Sequence, residues 1–196
     1  MNKILATLLL GLSLISSSSW SADFGKGYTA YNSGDFATAL REWTPLAEQG
    51  NASAQYNLGF MYDLGMGVLQ DDKTAVKWYT LAAEQGNADA QYNLALMYKN
   101  GEGVLQDYKT AVKWYRLAAE QGNAGAQYNL GWKYSNGEGV LQDDVYAHMW
   151  WNISASNGEK AAARNRDKVA KTMTPSQLEK AQDLARKCVA KNYKGC

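Results

Sequence analysis

The chain has 196 residues, 46% of them hydrophobic and 20% charged, which is enough to bury a core and excludes an intrinsically disordered protein. Its net charge of +1 provides no overall basic field, so we predict no nucleic-acid partner. Two cysteines and one histidine exclude a scaffold of several disulfides, a four-cysteine zinc site and most histidine-based metal chemistry.

Residues 1–22 have the pattern of a secretory signal peptide. Lys3 provides the positive start, and Ile4–Ile15 is an apolar run shorter than the ~20 residues that span a bilayer. The segment Ser16–Ala22 that follows is small and polar apart from Trp20. The alternative is an uncleaved membrane anchor. We expect a mature protein that is periplasmic or secreted, experiences an oxidising compartment and is not stably inserted in a membrane after cleavage.

Residues 24–53 match the repeated unit that follows them, but incompletely. Phe36–Gly50 aligns with the second helix of that unit, and Gly25–Ser33 is a short and degenerate first helix. Pro45 falls inside the second helix, where its missing N–H group is expected to cause a kink. We interpret this segment as a degenerate first repeat.

One unit of 36 residues then occurs three times without gaps, at residues 54–89, 90–125 and 126–161. The first two copies are identical at 28 of 36 positions. A period of about 20–50 residues is typical of a solenoid, in which each unit buries its apolar faces against its neighbours. The predicted fold is therefore all-α, an α-α solenoid of helix-turn-helix repeats.

Each unit is predicted to contain two helices, as the second copy illustrates. Asn87 can cap a helix that ends at Gly101, because glycine accepts the left-handed conformation that follows a helix. Asp107 can cap a second helix that ends at Gly122. The residues predicted to face the core at helical spacing are Ala90, Leu94, Met97 and Tyr98 in the first helix and Ala111, Trp114, Tyr115, Ala118 and Ala119 in the second.

Residues 162–196 are predicted to form a basic helical cap. Glu159–Lys171 aligns with another first helix, and Thr174-Pro-Ser-Gln177 is a start signal for a last helix that extends to about Asn192. Residues 23–161 carry 10 basic and 16 acidic side chains, whereas residues 162–196 carry 9 basic and 3 acidic ones. The cap is expected to seal the end of the stack. Its charge is either a solvated face or an electrostatic contact with an anionic partner or membrane surface.

The two cysteines of the chain, Cys188 and Cys196, lie eight residues apart. Export takes them to an oxidising compartment, and Asn192–Gly195 allows the tail to turn back toward the last helix. We therefore predict a disulfide that pins the cap, with two free thiols as the alternative.

The repeated pattern resembles a known family. Each unit follows Ala-x-x-x-Leu-Gly-x-x-Tyr-x-x-Gly-x-Gly-Val, then Asp, then Ala-x-x-Trp-Tyr-x-x-Ala-Ala-x-x-Gly, which is similar to the Sel-like repeat family of tetratricopeptide-related proteins. The chain departs from this pattern at Ala95 and, in the third copy, at Ser154 and Ser156. The resemblance implies a right-handed α-solenoid that acts as an adaptor for other proteins and is commonly exported in bacteria.

A binding surface is predicted on the first helix of each unit, on the side that the resemblance makes concave. Tyrosine and asparagine recur there identically while a third position varies, which suits a surface that binds a peptide backbone and selects side chains. Trp132 is unmatched in the other copies and is the expected anchor, with Lys133 beside it. The alternative is that the tyrosines and asparagines brace adjacent repeats. The predicted binding residues are Tyr56, Asn57, Phe60, Tyr92, Asn93, Leu96, Tyr128, Asn129, Trp132 and Lys133.

The sequence carries no signature of catalysis or of a cofactor. His148 replaces a valine of the other copies and is expected to be packed, while Asp71-Asp72 and Asp143-Asp144 are expected to cap helices. Cysteine-rich relatives have been linked with β-lactam binding or hydrolysis, but each of their repeats contains a cysteine pair, and neither Ser-x-x-Lys nor Lys-Thr-Gly occurs here. We therefore predict a non-enzymatic, exported adaptor for a protein or peptide. The alternative is a permanent structural or regulatory subunit of a cell-envelope complex.

Overall fold

The computed structural model describes residues 22–196, so the predicted signal peptide, except for Ala22, lies outside the described residues. The described part of the chain contains ten helices and no strand. The helix α2 continues through Pro45 to Glu48. The helices are α1 (Phe24–Asn32), α2 (Phe36–Glu48), α3 (Ala52–Leu64), α4 (Asp72–Glu84), α5 (Ala88–Asn100), α6 (Tyr108–Ala119), α7 (Ala124–Asn136), α8 (Asp144–Ser156), α9 (Lys160–Ala170) and α10 (Pro175–Ala190).

The helices stack in sequential pairs. Each even-numbered helix from α2 to α8 packs against the helix before it and against the helix after it. The core is accordingly a series of local clusters, each of which joins neighbouring helices. The expected all-α solenoid is confirmed.

The helix α10 covers the last pair, as expected of a cap. It packs against α8, and one cluster joins Met149 and Ile153 of α8 to Ala185 and Cys188 of α10. Its start has the expected geometry, because the Thr174 hydroxyl accepts the Gln177 N–H while the Gln177 side chain accepts the Thr174 N–H. The capping box is therefore confirmed.

The predicted start and stop signals of the repeats are also confirmed. Asn51, Asn87 and Asn123 each accept a backbone N–H of the first turn at 2.9 Å, and the first helices end at left-handed glycines. Asp71, Asp107 and Asp143 each accept two backbone N–H groups at the start of a second helix. The first aspartate of each pair, Asp71 or Asp143, is therefore a helix cap, and the second, Asp72 or Asp144, is the first residue of the helix.

The loop between the two helices of a repeat packs on the previous repeat. Gly103 has a φ of 68°, and a Cβ added there would lie 2.4 Å from the carbonyl oxygen of Asp72 at the start of α4. Gly139 has a φ of 77° and makes the same approach to the carbonyl oxygen of Tyr108 at the start of α6. Glycine is required at both positions because the backbones are in direct contact and φ is positive.

A second set of glycines sets the spacing of the two helices in the first and third full repeats, whereas Ala95 has this position in the second. A Cβ added at Gly59 would lie 2.6 Å from the ring of Tyr79, and one added at Gly131 would lie 2.4 Å from the indole of Trp151. The Trp151 indole N–H also donates to the Tyr128 carbonyl oxygen at 3.2 Å, which fixes the ring in place. The first helix can therefore lie directly on the aromatic ring of the second.

The close contact predicts that Gly131→Ala destabilises the protein. Alanine favours a helix by ~1 kcal/mol over glycine, but overpacking of a core typically costs about 1–3 kcal/mol and the Trp151 ring is held by its hydrogen bond. We expect a net decrease in the free energy of unfolding, measured by urea denaturation. Gly25→Ala is the control, because Gly25 lies in α1 at an exposed position with ordinary contacts and should gain from alanine. Equal stability of the two variants would contradict this account.

The cap predicts a second stability effect. A protein that ends at Met173 lacks α10, exposes the apolar surface of α8, and should melt at a lower temperature and aggregate. Differential scanning fluorimetry and light scattering measure both quantities. The full chain with Cys188→Ser and Cys196→Ser is the control, because it retains α10 without the cysteine pair. A shortened protein as soluble and thermally stable as the full chain would refute the role of the cap.

The cysteine pair lies at the end of the cap. The structure joins Cys188 to Cys196, with their Cα atoms 5.5 Å apart. The bond in the natural protein stays a prediction, and it is tested by mass spectrometry of the protein purified from its native envelope without reductant. The expected mass is two hydrogens below that of the dithiol, and trapping of two free thiols by an alkylating reagent would rule the bond out.

Candidate protein-binding face

The surface predicted to bind a partner is the outward side of α3, α5 and α7, which we call the first-helix face. Its recurring tyrosines, Tyr56, Tyr92 and Tyr128, are half-buried. The ring centroid of Tyr56 lies 6.0 Å from that of Tyr79, and the Tyr92 centroid lies 6.1 Å from that of Tyr115. Tyr56 and Tyr92 therefore pack against the second helix of their own repeat.

The tyrosines also touch the next repeat. A Cβ added at Gly125 would lie 3.1 Å from the Tyr92 ring, and the Tyr128 hydroxyl accepts a hydrogen bond from the amide of Asn165 in α9 at 3.3 Å. Burial raises the pKa of Tyr56 and of Tyr92, so both hydroxyls are protonated at neutral pH. These contacts brace adjacent repeats.

The three asparagines of the first-helix face are not equivalent. The Asn93 amide donates to the Tyr79 hydroxyl at 3.1 Å, and the Asn129 amide donates to the Gly125 carbonyl oxygen of its own helix at 2.9 Å. The side chain of Asn57 makes no hydrogen bond within residues 22–196. Identical residues in the sequence thus have three different environments, because their neighbours differ.

The Tyr79 hydroxyl is the centre of a polar network that joins α3, α4 and α5. It donates to the carboxylate of Asp63 at 3.2 Å and accepts from Asn93. Burial raises the pKa of Asp63, and the bond from Tyr79 opposes that effect. In the next repeat Lys99 replaces Asp63, and the buried Tyr115 hydroxyl has no hydrogen-bond partner within the described residues.

The variable position of the face changes from packed to exposed along the stack. Phe60 and Leu96 are half-buried against the core, whereas Trp132 is 41% exposed. The Trp132 ring meets the Trp151 ring edge-on, with the centroids 5.9 Å apart and the planes at 85°. Trp132 is therefore both accessible and held in a defined orientation.

A cavity of about 220 Å³ opens beside Trp132, between α7, α8 and α9. Its apolar lining comes from Trp132, Trp151 and Val169, and its polar lining includes Asp144, Asn165 and Lys168. Neither Asp144 nor Lys168 has an ion pair within the described part of the chain. The contribution of α9 was missed by sequence reasoning, which assigned residues 162–196 to the cap alone.

Lys133 does not lie on this surface, so its prediction as a surface residue beside Trp132 is wrong. It is 2% exposed, its ammonium group pairs with the carboxylate of Glu138, and it lies 4.0 Å from the centroid of the Tyr108 ring. One residue along a helix turns the side chain by about 100°, and position 133 corresponds to the buried Met61 and Met97. The carboxylate and the ring offset the cost of burying the charge.

A ladder of buried glutamines was not predicted at all. Gln55, Gln91 and Gln127 donate across to the last turn of the preceding second helix, at 3.0–3.1 Å to a carbonyl oxygen. Each in turn accepts, at 2.7–2.9 Å, from the side chain at the end of its own repeat's second helix, which is Gln85, Gln121 or Asn157. The signal was present, because glutamine follows the same buried alanine in all three copies.

The basic cap exposes most of its charge. Arg186 and Lys187 pair with Asp183, and Arg166 pairs with Asp167. The remaining basic side chains of the cap have no ion pair within residues 22–196, and they are Arg164, Lys168, Lys171, Lys180, Lys191 and Lys194.

His148 is packed, as expected, and Asp71 and Asp143 cap helices. His148 is buried, and burial, followed by the charge of Arg166, lowers its pKa, which keeps it neutral at neutral pH. Among residues 22–196 there is no group of three His, Cys, Asp or Glu side chains arranged to hold a metal ion. None of the helices in this range combines the length and the apolar character needed to cross a membrane.

The stacked helix pairs and the bracing contacts define an α-solenoid repeat protein. The model of the Sel1 repeat matches residues 52–87, 88–123 and 124–159, which is more than half of the chain. The chain therefore belongs to the Sel1 repeat family. Proteins of this family are commonly protein-interaction scaffolds, are generally non-catalytic and are often exported.

Solved structures agree with this assignment. The chain is 29% identical to a Sel1 repeat protein from Oxalobacter formigenes, with a TM-score of 0.68 over 85% of this chain and 75% of that one. It is 31% identical to a protective antigen with an SLR fold from uropathogenic Escherichia coli strains, with a TM-score of 0.54 over 87% of this chain and 45% of that one. The cysteine rich protein B of Helicobacter pylori shares the fold at 19% identity, with a TM-score of 0.53 over 66% of this chain and 92% of that one. No curated protein matches the chain.

Proposed function

We propose that this protein is an exported adaptor that binds a protein or peptide on the concave, first-helix face of its solenoid. The observation that carries the proposal is the exposed indole of Trp132 beside a cavity of about 220 Å³. Tryptophan is enriched among the residues that dominate binding energy at protein interfaces, above all where it borders a pocket that water can leave.

The charges at this cavity favour a polypeptide ligand. Asp144 and Lys168 are opposite in charge and have no partner in the described residues, so a partner can supply one cation and one anion to them. The apolar wall of Trp132, Trp151 and Val169 accepts a side chain between these two contacts. Tyr128 supports this wall, because its carbonyl oxygen accepts the Trp151 indole N–H and its hydroxyl accepts from Asn165.

Export to the periplasm or the exterior is the second part of the proposal. It is supported by the signal pattern of residues 1–22, by the pairing of Cys188 with Cys196, and by the export of many family members. The six unpaired basic side chains of the cap are the proposed contact with an anionic partner or membrane surface, and this contact should weaken with salt.

The proposal is tested with Trp132→Leu, because leucine occupies the same position at Leu96 and the helix accommodates it there. The partner is first identified by affinity capture of the tagged protein from its native envelope and mass spectrometry. Its affinity is then measured with the purified protein. We expect Trp132→Leu to weaken binding by about fivefold or more, which corresponds to ~1 kcal/mol.

The control is Leu117→Ala, a partly exposed leucine on the second helix α6, away from the first-helix face. It should leave the affinity unchanged, and circular dichroism should show both variants folded. Equal affinity of the Trp132 variant and the wild type would move the binding site elsewhere. A stable large assembly, seen by size exclusion after crosslinking in native cells, would instead identify a permanent subunit of an envelope complex.

A further inference from the structure

The first-helix face does not end at α7, because α9 continues it. The helix α9 begins at Lys160, which is one period of 36 residues after the start of α7 at Ala124. It packs against α8 as α7 packs against α6. Lys168 of α9 lies one period after Trp132, and both side chains line the same cavity. The surface that carries Trp132 therefore extends onto α9.

Three basic side chains, Arg164, Lys168 and Lys171, occupy this surface of α9, and we call them the basic row. They are spaced by four and three residues, so they lie on one side of the helix and within about 10.5 Å along its axis. All three are exposed, and none of them forms an ion pair within residues 22–196. One period earlier, the same positions of α7 hold uncharged side chains, which are Tyr128, Trp132 and Ser135.

The acidic side chains around α9 leave the basic row with a surplus of positive charge. Asp167, the acidic residue of α9, pairs with Arg166 at 2.7 Å. Glu159 is the N-cap of α9, and its carboxylate accepts a backbone N–H of the first turn. Among the residues that line the cavity Asp144 alone is acidic, and it belongs to the first turn of α8.

The stability of α9 accounts for only part of the basic row. Lys168 lies in the last turn and Lys171 follows the helix as its C-cap, where the helix dipole favours positive charge. Arg164 lies in the first half of the helix and gains nothing from this effect. Arg164 has no bracing role like that of Tyr128, which bonds to Asn165 of α9, because the described chain contains no further first helix after α9.

We propose that the ligand of the Trp132 cavity is an acidic peptide segment of a partner protein. One large apolar side chain of the segment enters the cavity, and Asp or Glu side chains beside it contact the basic row. Lys168 links the two contacts, because it belongs to the row and also lines the cavity with Trp132 and Trp151. This inference rests on the proposed function and adds the chemistry of the ligand to it.

A peptide suits this surface better than a membrane does. The basic row is short, and it lies beside a cavity of about 220 Å³ between three helices. A peptide can place an uncharged residue opposite Asp144 and acidic residues opposite the row. A uniformly anionic bilayer would also meet Asp144 and Asp167, which repel it.

The test starts with peptides selected from a random twelve-residue library displayed on phage, with the purified protein as the bait. We expect the selected peptides to combine a large apolar residue with neighbouring Asp or Glu residues. The affinity of the most enriched peptide is then measured by fluorescence anisotropy, beside a neutral version in which Asn and Gln replace Asp and Glu. The neutral version should bind at least tenfold more weakly, and raising the salt from about 0.05 to about 0.5 M should weaken the acidic peptide far more than the neutral one.

The decisive variant carries Arg164→Gln, Lys168→Gln and Lys171→Gln. It should bind the acidic peptide at least tenfold more weakly than the wild type, and it should bind the neutral peptide equally well. Lys168→Gln alone should change the affinity in the same direction by a smaller factor.

The matched control removes three positive charges elsewhere, with Lys113→Gln, Lys191→Gln and Lys194→Gln. These lysines are exposed, have no ion pair within residues 22–196 and do not line the cavity. The control should bind the acidic peptide as the wild type does. Circular dichroism and thermal melting should show both triple variants folded.

This inference and the proposed function fail in different ways. Peptides that need Trp132, but neither their own acidic residues nor the basic row, would overturn the inference and leave the proposed function standing. A library without binders, or binding that Trp132→Leu leaves unchanged, would overturn both. Equal weakening by the two triple variants would reveal general electrostatic attraction, and binding of anionic phospholipid vesicles that the basic-row variant loses would assign the row to a membrane. Either of these results would overturn the inference.

Discussion

The distance between the two helices of a repeat depends on a small residue of the first helix that faces an aromatic ring of the second. This residue is glycine at Gly59 and Gly131 and alanine at Ala95, which lies in one cluster with Tyr115. At Gly59 and Gly131 there is no room for a methyl group beside Tyr79 and Trp151. This contact places the first helix close to the ring and leaves the outer side of that helix free. The spacing of the first-helix face, and the stacking of the next pair upon it, both follow from this distance.

Hydrogen bonds then fix how the repeats are stacked. The glutamine ladder ties the end of each second helix to the next first helix, and Tyr128 is tied to Asn165 of α9. Each of these groups is buried or half-buried, so a slip between repeats would leave it unpaired at a cost of about 1–3 kcal/mol. The interfaces between repeats are small and rich in alanine, so it is the polar side chains that fix a single register of one repeat on the next.

In a repeat protein, the positions where the copies differ mark the features that are specific to one repeat. Trp132 stands where Phe60 and Leu96 are packed, and it is the copy that projects into solvent beside a cavity. Lys133 stands where the other copies have a buried methionine, and its charge is met by Glu138 and the ring of Tyr108.

The sequence by itself determined the period, the helix boundaries and the caps, because these depend on local signals such as Asp107, Gly101 and the capping box at Thr174. It also identified Trp132 as unmatched. Only the tertiary structure decided which side chains are accessible: Lys133 lies next to Trp132 in sequence yet faces the core, and α9 completes the cavity. The physical reason is that the burial of a side chain depends on the neighbouring repeats. A helical wheel represents one helix without its neighbours, so it does not predict which side chains they cover.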